Sequence, residues 1–392
     1  MEPASPGRDG AQAPPPRPPP AREGLLTLFL CGDVMTGRGI DQILPHPGDP
    51  RLWERHARDA RAYVELAEAA AGPVPRPAGF SWPWGDALET LDEMEPEVRV
   101  INLETSITRR GDAAAGKPVH YRMNPQNLPC LTVARPSVCA LANNHVLDFG
   151  YRGLADTLDA LAAAKIRAAG AGHDARAARR PAVVPAAHGG RVIVFSSGLE
   201  SSGIPWAWAA ARGRPGVDLL DGPPAATAGE VAGRIRDIRK PGDVVVASLH
   251  WGSNWGYGVP PEHVAFAHRI IDGGADIVHG HSSHHPRPVE VYRGRLILYG
   301  CGDLINDYEG IGGYEQYRDD LRVLYFASLD PGTGELARLQ MAVMRARRMR
   351  LRHAPAAERA WLRDALSRAS RRFGSRIGLA RDGMLTLQAG CP

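Results

Sequence analysis

Ala275-Asp-Ile-Val-His-Gly-His281-Ser-Ser-His284-His285-Pro286 begins as a short apolar run and ends in a cluster of imidazoles. Ala275 to Val278 reads as a buried strand, and the histidines follow it directly. The same grammar recurs along the chain. Val244 to Leu249 leads into His250-Trp-Gly252, and Val138 to Ala142 leads into Asn143-Asn144-His145-Val-Leu-Asp148. Leu25 to Cys31 leads to Asp33, and Val98 to Ile101 leads to Glu104. Carboxylate, amide and imidazole groups delivered at the carboxyl ends of parallel strands are how α/β folds build ligand sites. The fold class is therefore α/β. The mixture of oxygen and nitrogen donors suits borderline divalent ions such as Mn²⁺, Fe²⁺ or Zn²⁺, and the reading is a metal site.

Each element alone has a plain structural explanation. A Gly-Asp pair is common in turns, Glu104 could cap the next segment, and a half-buried histidine with one hydrogen bond is ordinary. His281, His284 and His285 are different, because three imidazoles in five residues beside Gly280 are costly to place in a core. Two ions about 3.5–4 Å apart need mixed ligands from several strand ends. Asp33, Glu104, Asn144, His250, His281 and His284 supply that set in chain order.

Composition narrows the remaining classes. With 392 residues and 44% hydrophobic content there is material for a substantial core. Lys and Arg number 47 against 43 Asp and Glu, and a net charge of +4 gives no ground for nucleic-acid binding. Only Lys117, Lys165 and Lys240 are lysines. The five cysteines, Cys31, Cys130, Cys139, Cys301 and Cys391, form no CxxC pair and read as small buried hydrophobes in a reducing compartment. No signal peptide is visible and no run of apolar residues is long enough to span a bilayer, so the expected localisation is cytoplasmic.

The proline-rich residues 1–24 read as a disordered tail. Residues 25–345 read as one domain, in which early strand–helix alternation gives way to hairpins, and 346–392 as a helical extension. Helices are expected over 51–71, 86–94, 153–164, 229–238, 261–271 and 357–371, and a loop over 209–226.

Gly32-Asp33, Asn102-Leu-Glu104, Asn143-Asn144-His145-x-x-Asp148-x-Gly150, His250-Trp-Gly252 and Gly280-His281-x-x-His284 resemble the capsule/poly-γ-glutamate synthesis protein CapA family. That family lies in the calcineurin-like metallophosphoesterase superfamily. The resemblance runs from about Leu25 to Asp307 and implies a four-layer α/β/β/α sandwich with a dinuclear metal site. It implies that Asp33 and His284 bind the first metal, that Glu104 bridges, and that Asn144, His250 and His281 hold the second. His145 would be the acid near the scissile bond, oriented by Asp148, and Asp303 an outer carboxylate. The superfamily usually has a histidine two residues after the first Asp, where this chain has Met35. The implied activity is metal-dependent hydrolysis of a peptide or γ-glutamyl amide, or of a phosphoester, with a peptide or polyanionic glutamyl substrate. Two alternatives stand beside it: epimerisation of a peptide residue at the same site by α-proton abstraction, and a non-catalytic capsule-biosynthesis binding protein whose metal site is degenerate.

Overall fold

A computed structural model describes residues 24–187, 189–221 and 224–389. Apart from Gly24, the expected tail lies outside the described residues. In chain order the principal elements are β1 (Leu26–Val34), α1 (Arg61–Ala71), α2 (Ala87–Met94), β2 (Val98–Leu103), β3 (Val138–Ala140), α3 (Gly150–Ala163), β4 (Arg167–Ala169) and β5 (Arg191–Leu199). They continue with α4 (Pro224–Ile238), β6 (Val244–His250), α5 (Pro261–Asp272), β7 (Ile277–His281), β8 (Val289–Tyr292), β9 (Arg295–Leu298) and β10 (Asp303–Ile305). The last are β11 (Leu321–Leu329), β12 (Leu336–Ala346), β13 (Leu351–His353), α6 (Ala356–Ser370), β14 (Ser375–Leu379) and β15 (Leu385–Ala389).

Two large sheets carry the architecture. A ten-stranded sheet has the order β14-β15-β12-β11-β1-β2-β3-β4, with β10 pairing β1 and β13 pairing β12. A seven-stranded sheet runs from Leu219–Leu220 through β5-β6-β7-β9-β8, with Ala182–Pro185 pairing β5. The strands that lead to the motifs are parallel: β1 to β2, β2 to β3, β5 to β6 and β6 to β7. β1, β2, β6 and β7 are buried along their whole length, which is why each reads as mostly apolar, with only isolated polar residues such as Thr27, Arg99 and Ser248 before the site.

The two-residue period of a strand sorts the core. Leu26, Leu28 and Leu30 of β1 pack with Val192, Val194, Val244 and Val246 of the second sheet. Phe29 and Cys31 face the other way, toward Val64 and Ala67 of α1, Leu91 of α2, and Leu154 and Leu161 of α3. Val245, Ala247 and Leu249 of β6 turn outward onto Val231 and Ile235 of α4 and Phe266 and Ile270 of α5. The result is a mixed α/β molecule with an apolar seam between its two sheets.

Three expected segments differ. The helix anticipated from Arg51 begins only at Arg61, because 51–60 closes on itself: Arg51 bridges Asp59, and Leu52 N donates to the Arg58 carbonyl at 2.9 Å. Glu54 is drawn from that loop into an ion pair with buried Arg38 at 3.0 Å. The anticipated loop over 209–226 contains Gly216–Val217 and Leu219–Leu220 as short strands and the start of α4. The segment after 345 supplies α6 but also β13, β14 and β15, all within the ten-stranded sheet. Leu385–Ala389 becomes a strand by pairing with β12 and β14, partners that its own sequence does not name.

Candidate metal centre

β1 and β2 of one sheet and β6 and β7 of the other all end at the same place, and the seam is pinned there. Nε2 of His279 lies 2.8 Å from the carbonyl oxygen of Cys31, one sheet to the other. The pairing registers then set the donors side by side. His250 is level with His281, and Asp33 is level with Asn102 on one flank and Asp303 on the other. Gly32 makes this approach possible, since a Cβ there would sit 1.7 Å from the Gly302 carbonyl oxygen.

Two groups of buried side chains converge. Asp33, His250 and His281 place one donor atom each within 4.8 Å of one another, and so do Asp33, His284 and Asp303. Asp33 belongs to both. Its Oδ1 accepts from the Asn102 amide at 2.7 Å, while its buried Oδ2 has no hydrogen-bond partner. The same Asn102 amide donates to Glu104 Oε2 at 3.1 Å. Glu104, which the resemblance puts between the ions, lies against the imidazoles. Its Oε1 is 3.9 Å from His250 Nε2 and 3.8 Å from His145 Nε2. Asn144 Oδ1 is 3.1 Å from His250 Nε2. Nδ1 of His250 and Nδ1 of His281 are 2.8 Å apart, and Ser248 Oγ lies 2.9 Å from His281 Nε2 and 3.1 Å from His279 Nδ1. The turn between His281 and His284 passes through Ser282 at φ 93°, a left-handed conformation that a non-glycine residue holds only when its surroundings demand it.

The electrostatics are those of a cation site. Burial, and then Asp303 nearby, push the Asp33 carboxyl up to about 7, and burial with Asp33 pushes Glu104 well above the ordinary range. Burial drives His250 and His281 far below the usual imidazole range, so both are neutral and present lone pairs. Burial also acts on Asp303, but His284 and Arg322 hold its carboxyl below the ordinary value, and Asp303 raises His284 in turn. Crowded carboxylates, an orphaned carboxylate oxygen and neutral imidazoles are the donor set a divalent ion requires.

His145 sits at the rim of this cluster. Its Nδ1 is 2.6 Å from Asp148 Oδ2, and Tyr121 N donates to that same oxygen at 2.7 Å. Lys117 Nζ donates to Asp148 Oδ1 and lies 2.9 Å from His145 Nδ1. With Asp148 ionised, Nδ1–H donates to it and Nε2 is left open toward Glu104. Burial, reinforced by Lys117, pushes the His145 imidazole down to about 4.

Of the eight residues expected from the sequence, Asp33, His250, His281 and His284 fall in the two donor groups, Glu104 and Asn144 lie beside His250, and His145 with Asp148 adjoins Glu104. Sequence reading missed Lys117, Ser248 and the position of Asp303 among the donors. Ser248 was findable, being a polar residue two before His250 on the same face of an otherwise apolar strand. Lys117 had no signal beyond the scarcity of lysine, for it lies on a loop and meets Asp148 only in the folded chain.

Comparison with known proteins finds one matching family and several named relatives. Residues 27–308 match the family model described as bacterial capsule synthesis protein PGA_cap. The chain is 56% identical over 362 residues to a Mycobacterium tuberculosis protein named "Probable polyglutamine synthesis accessory protein", covering 92% of this chain and 95% of that one. It is 27% identical over 314 residues to the "PGA biosynthesis protein CapA" of Bacillus subtilis, covering 80% and 70% of the two chains. It also resembles the crystal structure of TT1561 of Thermus thermophilus, with 9% identity, a TM-score of 0.36, and coverage of 80% and 97%, too loosely to carry an argument.

Proposed function

The chain belongs to the bacterial capsule synthesis protein family PGA_cap, the CapA family of the metallophosphoesterase superfamily, and from that premise we propose that it is a metal-dependent hydrolase. We read its two sheets and their flanking helices as the four-layer sandwich of that superfamily, with two divalent ions (Mn, Fe or Zn) at the seam. The substrate class is a peptide or γ-glutamyl amide, in keeping with the polyglutamine synthesis named for the 56% identical relative. The observation that carries the reading is the pair of buried donor groups sharing Asp33, whose Oδ2 has no partner.

Ions bound there would acidify a water and polarise the scissile group. Asp33, Glu104, Asn144, His250, His281 and His284 are the residues that would hold them. Asp148 fixes the proton of His145 on Nδ1, so that Nε2 faces the cluster and can pass a proton to or from the substrate. Lys117 neutralises Asp148, and Ser248 fixes the ring of His281. Among the described residues no helix is long and apolar enough to cross a membrane. Four buried free cysteines, Cys31, Cys130, Cys139 and Cys301, favour a reducing, cytoplasmic setting.

The open Nε2 of His145 also favours a second reading. An imidazole whose lone pair faces the site can accept an α-proton, the first step of epimerisation. One experiment separates the readings. Protein stripped with chelator and reloaded separately with Mn²⁺, Fe²⁺ or Zn²⁺ is incubated with poly-γ-glutamate and short γ-glutamyl peptides, then analysed by mass spectrometry and chiral chromatography. Fragments carrying the mass of an added water support hydrolysis, and unchanged mass with altered chirality supports epimerisation. Unchanged substrates with every ion would overturn both.

A further inference from the structure

We propose that Asp303 is itself a metal ligand, forming with Asp33 and His284 an oxygen-rich site that takes a hard ion such as Mn²⁺, while the imidazole-rich side takes Zn²⁺. The assignment rests on the dinuclear reading above and goes beyond it by giving the two sites different chemistry.

The backbone is arranged to bring Asp303 to Asp33. β10 runs parallel to β1 with Asp33 level with Asp303, and the register slips between Asp33 and Val34, so that Val34 is level with Ile305. Such an irregularity re-aims side chains at the end of a strand. Asp33 N donates to the Gly302 carbonyl at 3.1 Å, and Met35 N to that of Ile305 at 2.8 Å, locking the slip in place. The side chain of Asp303 has no solvent exposure. One of its oxygens, Oδ2, accepts from the Asn306 amide at 2.6 Å, and Asn306 Oδ1 accepts in turn from the buried Arg322 at 2.9 Å. The other, Oδ1, is 2.9 Å from His284 Nδ1. Donors at about 2.1 Å from one ion and at right angles to each other lie roughly 3 Å apart, so this spacing is that of neighbouring ligands.

Met35 offers nothing comparable. It is buried, its sulfur lies 4.0 Å from Tyr308 Oη, and a thioether is a poor partner for a hard ion. Two buried carboxylates on adjacent strands, one with an orphaned oxygen, face the same space beside His284 and offer oxygen donors there. Two carboxylates with one imidazole suit Mn²⁺ or Mg²⁺, whereas His250 and His281 with Asn144 suit Zn²⁺.

The competing role for Asp303 is to orient His284 by accepting its Nδ1–H. Asp303→Asn discriminates, because asparagine keeps an acceptor and the shape but removes the charge. Full-length protein is stripped, then given one equivalent each of Zn²⁺ and Mn²⁺, with bound metal measured by elemental analysis and free Mn²⁺ by electron paramagnetic resonance. Wild type should retain both ions. Asp303→Asn should keep Zn²⁺ and weaken Mn²⁺ by at least about 100-fold, the upper end of what losing an outer-shell partner costs. His281→Ala should do the reverse. Mn²⁺ affinity unchanged in Asp303→Asn overturns the assignment while leaving the dinuclear reading intact; wild type that retains neither ion overturns both. Should Asp303→Asn fail to fold, electron–nuclear double resonance of Mn²⁺ bound to wild type labelled with ¹³C at the aspartate carboxyl carbons decides. Coupling to two carboxyl carbons supports the assignment, and coupling to one overturns it.

Discussion

Replacing Lys117 by methionine should let His145 take up a proton close to neutral pH. In the wild-type protein burial, Asp148 and Lys117 set the imidazole at about 4 between them, with Lys117 working against protonation. The Lys117 ammonium is 2.9 Å from His145 Nδ1. Two unit charges at that distance repel by about 6 kcal/mol at an effective dielectric of about 20, equivalent to roughly four pH units. Relaxation and entry of water reduce this, so a rise of about one to three pH units is expected, to a midpoint of roughly 5–7. The assay is the pH titration of the His145 Cε1–Hε1 resonance in metal-free, ¹³C-histidine-labelled protein, assigned with His145→Gln. Stability should follow. The folded value lies below the ordinary 6.5, so the contribution of His145 is fully present above pH 6.5 and is lost as pH falls toward 4. That loss amounts to roughly 3 kcal/mol in the wild type and should shrink in Lys117→Met. A midpoint that stays put or moves down would refute the argument that Lys117 keeps His145 neutral.

Metal content and activity should separate when the cluster is dissected. His281→Ala should lose the ion of the imidazole-rich side together with activity, whereas His145→Ala should keep its metal and lose about 10²–10⁴-fold in rate; the reverse pattern would exchange their roles. Gly32→Ala should cost about 3 kcal/mol or more in urea unfolding, because the new methyl would meet the Gly302 carbonyl oxygen and overpack the join between β1 and β10. Trp84→Ala should cost about 3–5 kcal/mol by the same measurement, since Trp84 is fully buried and its indole donates to the Cys130 carbonyl at 2.7 Å; a loss under about 1 kcal/mol would show that the site collapses around the change.

Much of the scaffold was legible for one physical reason. A parallel strand buried on both faces is mostly apolar, so β1, β2, β6 and β7 announce themselves despite Thr27, Arg99 and Ser248, and the site residue after each run marks the strand's carboxyl end. What the chain did not declare depends on partners distant in sequence. Residues 51–60 carry alanines and spaced apolar positions suited to a helix, yet the pull of Arg38 on Glu54 and the Arg51–Asp59 bridge hold them in a loop. β14 and β15 become strands by adding to the edge of a sheet whose first strand begins far back at Leu26.

The site shows the same division more sharply. Its ligand types could be read one strand end at a time, but which carboxylate is shared is a property of the assembled sheets. Glu104 is reached from β2 and turns toward His145 and His250. Asp303 belongs to a three-residue strand paired only with β1, and it meets His284. Asp33 lies between them, flanked by Asn102 and Asp303 in its own sheet and facing His250 and His281 of the other and His284 of the turn that follows it. A carboxylate on a flanking strand has neighbours on one side of the cluster, whereas one on the strand between can serve both sides. The membership of Asp33 in both donor groups therefore follows from the position of β1 in the sheet: carboxylate and one imidazole lie on one side of it, paired imidazoles on the other.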